Sequence, residues 1–143
     1  MATEHWKELI PRLLTSHPVL EIGSHEGDPL EIDSTDYLDL RGKTSVHQLA
    51  SLLKRSLIYL GCDSGPLHVA ACWSLPSVCI LGGRIPPIAI QYPNVHSIVN
   101  RPSCADCWNT GPCKHDLKCM RALTPDPVYR ETMDAIRRCR TRP

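Results

Sequence analysis

Apolar residues follow two alternating patterns along the chain, and these patterns predict alternating helices and strands. Helical spacing predicts four helices, which begin at or near these residues: Ala2, Ser45, Pro66 and Pro125. The second helix carries a capping-box pattern, because Gln48 stands three residues after Ser45. Short apolar runs predict strands at these segments: Val19–Gly23, Tyr37–Leu40, Leu57–Gly61, Ser77–Leu81 and Val95–Val99.

The order of these elements predicts an α/β fold. Helices that alternate with strands through short connections favour a Rossmann-like, mainly parallel sheet with helices on both faces. A length of 143 residues suits one core, so we expect a single domain over residues 1–143. A Rossmann-like unit starts with a strand, whereas this pattern starts with a helix, so the first strand is expected to be missing. The exposed edge or apolar gap left behind would promote self-association.

Composition and charge exclude several classes of protein. Hydrophobic residues make up 42% of the chain and charged residues 22%, which is typical of a globular domain and not of a disordered one. A net charge of +1 and the lack of phenylalanine argue against a nucleic-acid binder. The N-terminus has no charged region followed by an apolar core, so it does not resemble a secretion signal. These features predict a cytoplasmic protein.

The segment Asp63–Ala71 is the strongest candidate for chemistry, because it follows a predicted buried strand and opens a helix. Ligands of open α/β sheets bind at such turns. Gly65 allows a ligand to approach the backbone, and the amides at the helix start favour an anion such as a diphosphate. The Ser64 hydroxyl and the His68 imidazole can add hydrogen bonds. The alternative is an ordinary helix cap with an exposed histidine.

Four of the eight cysteines cluster within sixteen residues and form a cysteine-rich loop: Cys104, Cys107, Cys113 and Cys119. Two thiolates in a Cys-x-x-Cys pair can bind one metal ion, and four complete a tetrahedral zinc or iron site. His115 lies inside the loop as a substitute ligand. Reduced thiols in an ordinary loop, or disulfides, remain the alternatives.

These motifs, in this order, resemble the C-terminal half of the heptosyltransferases of glycosyltransferase family 9. The resemblance rests on Leu40–Ser45, on Asp63–Ala71, and on the cysteine loop with the Thr124-Pro125-Asp126 segment after it. It covers nearly the whole chain. It implies one of the two Rossmann-like lobes of a GT-B fold, the lobe that holds a nucleotide-sugar donor similar to ADP-heptose.

The resemblance also implies roles for individual residues. Residues implied to contact the donor diphosphate and sugar are Asp63, Ser64, Gly65 and His68. Thr44 falls where the family contacts the nucleoside, and Glu26 falls near an acidic position that contacts the ribose. One branch of the family carries a Cys-x-x-Cys-Trp sequence and a four-cysteine iron site, which Cys107–Trp108 resembles. That similarity implies a structural zinc or iron ion.

The chain also departs from the family pattern. The family's catalytic base lies in the N-terminal lobe, and its phosphate-binding lysine precedes the position of Thr3, so both are expected to be missing. Gly82-Gly83-Arg84 stands where the family often has Gly-Pro-Thr. Arg84 is therefore either a substitute phosphate-binding cation or an exposed loop arginine.

Taken as a family member, the chain is expected to bind the donor for transfer of a heptose-like sugar to a glycan or protein acceptor, as in lipopolysaccharide biosynthesis. It is expected to be inactive without an N-terminal lobe or a second chain, and to act in the cytoplasm or at the inner face of the membrane. Two alternatives remain open: a truncated fragment that binds nucleotide without catalysis, and a small metal-binding interaction module built on the four cysteines.

Overall fold

The computed structural model describes residues 1–26 and 29–140 and shows an α/β fold. The helices are α1 (Thr3–Leu14), α2 (Val46–Arg55), α3 (Gly65–Cys72), α4 (Lys118–Arg121) and α5 (Pro125–Arg140), with a 3₁₀ turn at Pro87–Ala89. The strands are β1 (Val19–Glu21), β2 (Tyr37–Asp39), β3 (Tyr59–Cys62), β4 (Ser77–Leu81) and β5 (Val95–Val99). All five predicted strands and four predicted helices are therefore present, with ends shifted by at most two residues. The pattern did not predict α4 or the 3₁₀ turn.

The strands form two parallel sheets, so the prediction of one continuous sheet is wrong for the described residues. The smaller sheet pairs β1 with β2, and the larger has the order β3-β4-β5. The doubly wound order 3-2-1-4-5-6 explains the division. Its second and fourth strands correspond to β1 and β3, and the first strand would lie between them. The predicted gap therefore falls between β1 and β3, where no described residue forms a strand.

Helices cover both faces of the larger sheet, as the sequence pattern predicts. Successive side chains of a strand point to opposite faces, and all of β4 is buried. Cys79 and Leu81 pack in one core with residues of α2 and α3, whereas Ile80 packs in a second core with residues of α1 and α5. Val19 joins the second core, and Ile22 joins the first. The smaller sheet thus lies beside the larger one and shares both of its cores.

A polar cluster fastens β1 to β2 at their carboxyl ends. The Arg41 guanidinium lies 3.2 Å from the Glu21 carboxylate and 2.9 Å from the Asp39 carboxylate, and the Tyr37 hydroxyl donates to Glu21. Hydrogen bonds from Arg41 lower the pKa of Asp39 to about 2, and burial together with Glu21 raises the pKa of Tyr37. Three charged groups and a neutral phenol therefore hold the ends of the two strands, where the next loops begin.

The predicted capping box at the start of α2 is present. The backbone N–H of Gln48 donates to the Ser45 hydroxyl at 3.3 Å, and the backbone N–H of Ser45 donates to the Gln48 side-chain oxygen at 2.8 Å. This pair of bonds caps α2 at Ser45, the residue that follows Thr44. No helix in the described part of the chain has the length and apolar character needed to cross a membrane.

Candidate functional site

The candidate site lies at the turn between β3 and α3. Ser64 has an extended backbone and precedes α3, but its side chain does not cap the helix. The Ser64 hydroxyl instead donates to the Cys62 carbonyl at 3.2 Å. Pro66 has no N–H, and the Leu67 N–H donates to the Ser64 carbonyl, so the first turn offers the Gly65 amide and the positive end of the helix dipole. Several free amides were expected from the sequence, and the structure reduces their number.

The surface above Gly65 is open. A Cβ atom built on Gly65 would meet no atom within 4 Å apart from its chain neighbours and the backbone of its own helix. Asp63 and Ser64 beside it are exposed as well. The turn therefore leaves room for a ligand beside the backbone, and the ligand-binding role of Gly65 stays a prediction.

His68 connects Asp63 with a residue that the sequence pattern did not single out. Its Nε2 atom lies 3.6 Å from the Asp63 carboxylate, and its Nδ1 atom lies 2.9 Å from the hydroxyl of Tyr92. The two rings meet edge to face, with centroids 5.8 Å apart. Tyr92 lies in the loop between β4 and β5, distant from His68 in sequence and outside any motif. The sequence therefore holds no local signal for this contact.

Tyr59, a buried residue of β3, lies against Ser64. The Tyr59 hydroxyl lies 3.3 Å from the Ser64 hydroxyl and donates to the Cys62 carbonyl at 3.4 Å. Its ring lies over Gly61, where an added Cβ would clash with the phenol oxygen. Burial raises the pKa of Tyr59 to about 12, so the phenol stays protonated. The sequence pattern places Tyr59 in an apolar strand and predicts no role for it in the site.

Glu26 and Thr44 lie on the loops that follow β1 and β2. The Gly42 N–H donates to the Gly23 carbonyl at 2.9 Å, so the two loops touch. Among the described residues, neither the Glu26 carboxylate nor the Thr44 hydroxyl has a hydrogen-bond partner, and no hydrogen bond or ion pair joins them to the turn at Gly65. The packing of Ile22 into the core under α3 places the loop after β1 on the side of that helix.

Arg84 is exposed and follows the two glycines at the end of β4. Its carbonyl accepts the Trp108 N–H at 3.0 Å, and the Gly83 carbonyl accepts the Asp106 N–H at 2.6 Å. These bonds attach the cysteine loop to the end of the strand.

The four clustered cysteines line one pocket of about 170 Å³, together with Gly83 and His115. As the side chains lie, no group of three or more histidine, cysteine, aspartate or glutamate residues is placed to hold a metal ion in the described ranges. The four cysteines are free thiols in this structure. The four predicted ligands therefore line the same pocket, but their sulfur atoms do not have the geometry of a metal site. Such a site requires four sulfurs about 2.3 Å from one metal centre.

One family of proteins matches most of the chain. The family model for glycosyltransferase family 9 (heptosyltransferase) matches residues 3–114. A search of the curated proteins found no match.

Several solved structures are similar in fold. The ADP-heptose lipopolysaccharide heptosyltransferase II of E. coli has a TM-score of 0.73 at 21% identity, over 96% of this chain and 42% of its own. A glycosyltransferase of family 9 from Veillonella parvula has a TM-score of 0.74 at 16% identity, over 96% and 42%. The dodecameric iron-containing heptosyltransferase TibC of enterotoxigenic E. coli, in complex with ADP-D-beta-D-heptose, has a TM-score of 0.72 at 22% identity, over 93% and 40%.

The chain spans about two fifths of the length of each of these structures. At such low identities the likeness shows the fold, and it agrees with the predicted Rossmann-like lobe of a GT-B protein.

Proposed function

The chain belongs to glycosyltransferase family 9, and from that premise we propose that it is the donor-binding lobe of a heptosyltransferase. The donor would be a nucleotide-diphosphate sugar similar to ADP-heptose. The observation that carries the proposal is the open surface above Gly65, which lies at the start of α3 with the His68 imidazole and the Asp63 carboxylate beside it. The complex of TibC with ADP-D-beta-D-heptose supports the choice of donor.

The residues of the turn would bind and stabilise the diphosphate. Gly65 allows a phosphate oxygen to reach the helix amide and the positive end of the dipole. The Ser64 hydroxyl and the His68 Nε2–H would add hydrogen bonds. When the sugar leaves the nucleotide, negative charge grows on the diphosphate, and donors already in place stabilise that charge. Asp63 would orient the His68 ring and contact the sugar hydroxyls.

The nucleoside would lie towards the smaller sheet. We assign the ribose to Glu26 and the nucleoside to Thr44, because both residues follow the carboxyl ends of strands and both side chains lack a partner in the described chain. Arg84 would add a cation near the phosphates. The pairing of Glu26 with ribose hydroxyls agrees with the general use of carboxylates at such strand ends.

Sugar transfer would need a second lobe. A base must deprotonate the acceptor hydroxyl, and we assign it to an N-terminal lobe or to a second chain. This chain alone is then expected to bind the donor without transferring the sugar. Transfer after an N-terminal lobe is supplied would separate this function from that of a non-catalytic fragment, which would bind nucleotide but give no product.

Titration with ADP tests the donor site. We expect a Kd of ~0.1–1 mM, which corresponds to about 4–5.5 kcal/mol, since the opposing lobe makes no contribution. His68→Ala should weaken binding by about 1–2 kcal/mol, the cost of a hydrogen bond to a charged partner. Calorimetry and NMR measure both values. The matched control is His96→Ala, since His96 is an exposed histidine on β5 outside the site.

The position of the NMR shifts decides between binding at this turn and binding elsewhere. ADP should shift the signals of Ser64 and His68 first. If millimolar ADP causes no shift near these residues, the chain as it stands is not a donor lobe.

The cysteine loop supports a second proposal, a structural zinc or iron ion on the four thiolates. Its support is the shared pocket and a donor set of soft thiolates, which suits either metal. TibC, which is similar in fold, is an iron-containing protein, and this agrees with the proposal. Because the sulfurs do not converge as they lie, the loop would have to draw them together on binding.

Elemental analysis tests the metal site. Chain purified under reducing conditions should carry close to one zinc or iron ion, and Cys107→Ser should lower that content, since one of four ligands is lost. The matched control is Cys72→Ser, an exposed cysteine on α3 outside the loop. A wild-type chain that carries no metal would contradict the proposal, and the four cysteines would then be ordinary thiols.

Self-association, the acceptor and the location are further parts of the proposal. The edges of β1 and β3 that face the gap, and the dodecameric assembly of TibC, support self-association, which sedimentation of the chain would measure. We propose a glycan or protein acceptor, as in lipopolysaccharide biosynthesis, and a location in the cytoplasm or at the inner membrane face.

A further inference from the structure

We propose that Tyr92 is a positioning residue that holds His68 in the tautomer able to donate a hydrogen bond to a phosphate. The proposal rests on the donor site proposed above. It starts from one contact that could not be predicted from the sequence: the Tyr92 hydroxyl lies 2.9 Å from His68 Nδ1. The edge-to-face packing of the two rings adds a second constraint on the orientation of the imidazole.

The two neighbours of the imidazole select one tautomer. A neutral imidazole has one N–H and one lone pair, and either ring nitrogen can carry the proton. The carboxylate of Asp63 faces Nε2 at 3.6 Å, so a proton on Nε2 is favoured and a lone pair there would be repelled. Nδ1 then carries the lone pair and accepts from the Tyr92 hydroxyl. Asp63 and Tyr92 are the titratable groups that contact this ring in the described chain.

This tautomer is the one that a donor site needs. A phosphate can accept a hydrogen bond from Nε2–H but would be repelled by a lone pair on that atom. With Tyr92 in place, His68 can therefore donate while it is neutral, and the site does not depend on imidazolium formation near the positive end of α3.

The backbone of Tyr92 is held firmly enough to impose this orientation. The Val95 N–H donates to the Tyr92 carbonyl at 3.0 Å, at the point where β5 begins. Two residues before Tyr92, Ile90 is buried in the core under α3. The neighbouring Asn94 side chain donates to the Leu75 carbonyl at 2.5 Å. The phenol thus reaches His68 from a segment anchored on both sides.

The test is Tyr92→Phe, which keeps the ring and removes the hydroxyl. We expect ADP to bind roughly 3- to 10-fold more weakly than to the wild type, because His68 loses the hydroxyl that orders its ring. The matched control is Tyr129→Phe on α5, which should leave ADP binding unchanged.

The ¹⁵N shifts of His68 provide a readout that needs no ligand. In the wild type they should show a proton on Nε2 and an accepting Nδ1, and in Tyr92→Phe the Nδ1 signal should move. If ADP fails to bind but this signal moves, Tyr92 positions His68 and the proposed donor site is wrong. Unchanged His68 shifts, or an ADP affinity that Tyr92→Phe leaves unchanged, would overturn the proposal for Tyr92.

Discussion

Replacing Gly65 with valine is expected to abolish ADP binding while the protein stays folded. Apart from its chain neighbours and the backbone of its own helix, no protein atom lies within 4 Å of a Cβ added to Gly65, so the valine side chain is expected to fit the fold and to enter the region that a diphosphate would occupy. Valine also has a higher helix propensity than glycine, so α3 should not lose stability. ADP titration measures the first effect, and thermal unfolding followed by circular dichroism measures the second.

Gly65→Ala provides the graded comparison, because one methyl group should weaken binding less than the branched side chain does. Gly111→Val is the matched control, since Gly111 is an exposed glycine of the cysteine loop. An unchanged Kd in Gly65→Val, with the fold intact, would place the bound diphosphate away from this turn.

Leu67→Ala is expected to lower the free energy of unfolding by about 2–5 kcal/mol, the usual cost of removing a large apolar side chain from a packed core. Leu67 is fully buried and packs with Leu53, Tyr59 and Leu81. It lies on the inner face of the helix whose first turn carries the site. Urea unfolding should detect the loss, and ADP binding should weaken with it, because α3 is less firmly held against the sheet.

The control for this variant is Ile88→Ala, in the 3₁₀ turn. Ile88 is 69% exposed, so its truncation should change the free energy of unfolding by no more than about 0.5 kcal/mol. If Leu67→Ala costs no more than the control, the inner face of α3 does not hold the helix in place.

Features that depend on neighbours in the chain could be predicted from the sequence. Ser45 and Gln48 of the capping box are three positions apart, and Asp63 and His68, which the turn brings together, are five positions apart. The alternation of helices and strands follows from local apolar periodicity in the same way. The parallel pairing of β3 with β4 follows from the order of the elements, because α3 lies between them and carries the chain back to the same edge of the sheet.

Tertiary structure alone decided the contacts between distant segments. The sequence did not reveal that Tyr92 contacts His68, or that the strands divide into two sheets, because both depend on how separate segments pack. The sequence showed four cysteines at a spacing that suits a metal site. Whether they line one pocket, and whether their sulfurs have ligand geometry, depends on how the loop folds against Gly82 and Gly83. The sequence by itself thus determined the five strands, four of the helices and the family. Packing across the sheet decided which side chains surround the turn at Gly65, since such packing has no local signal.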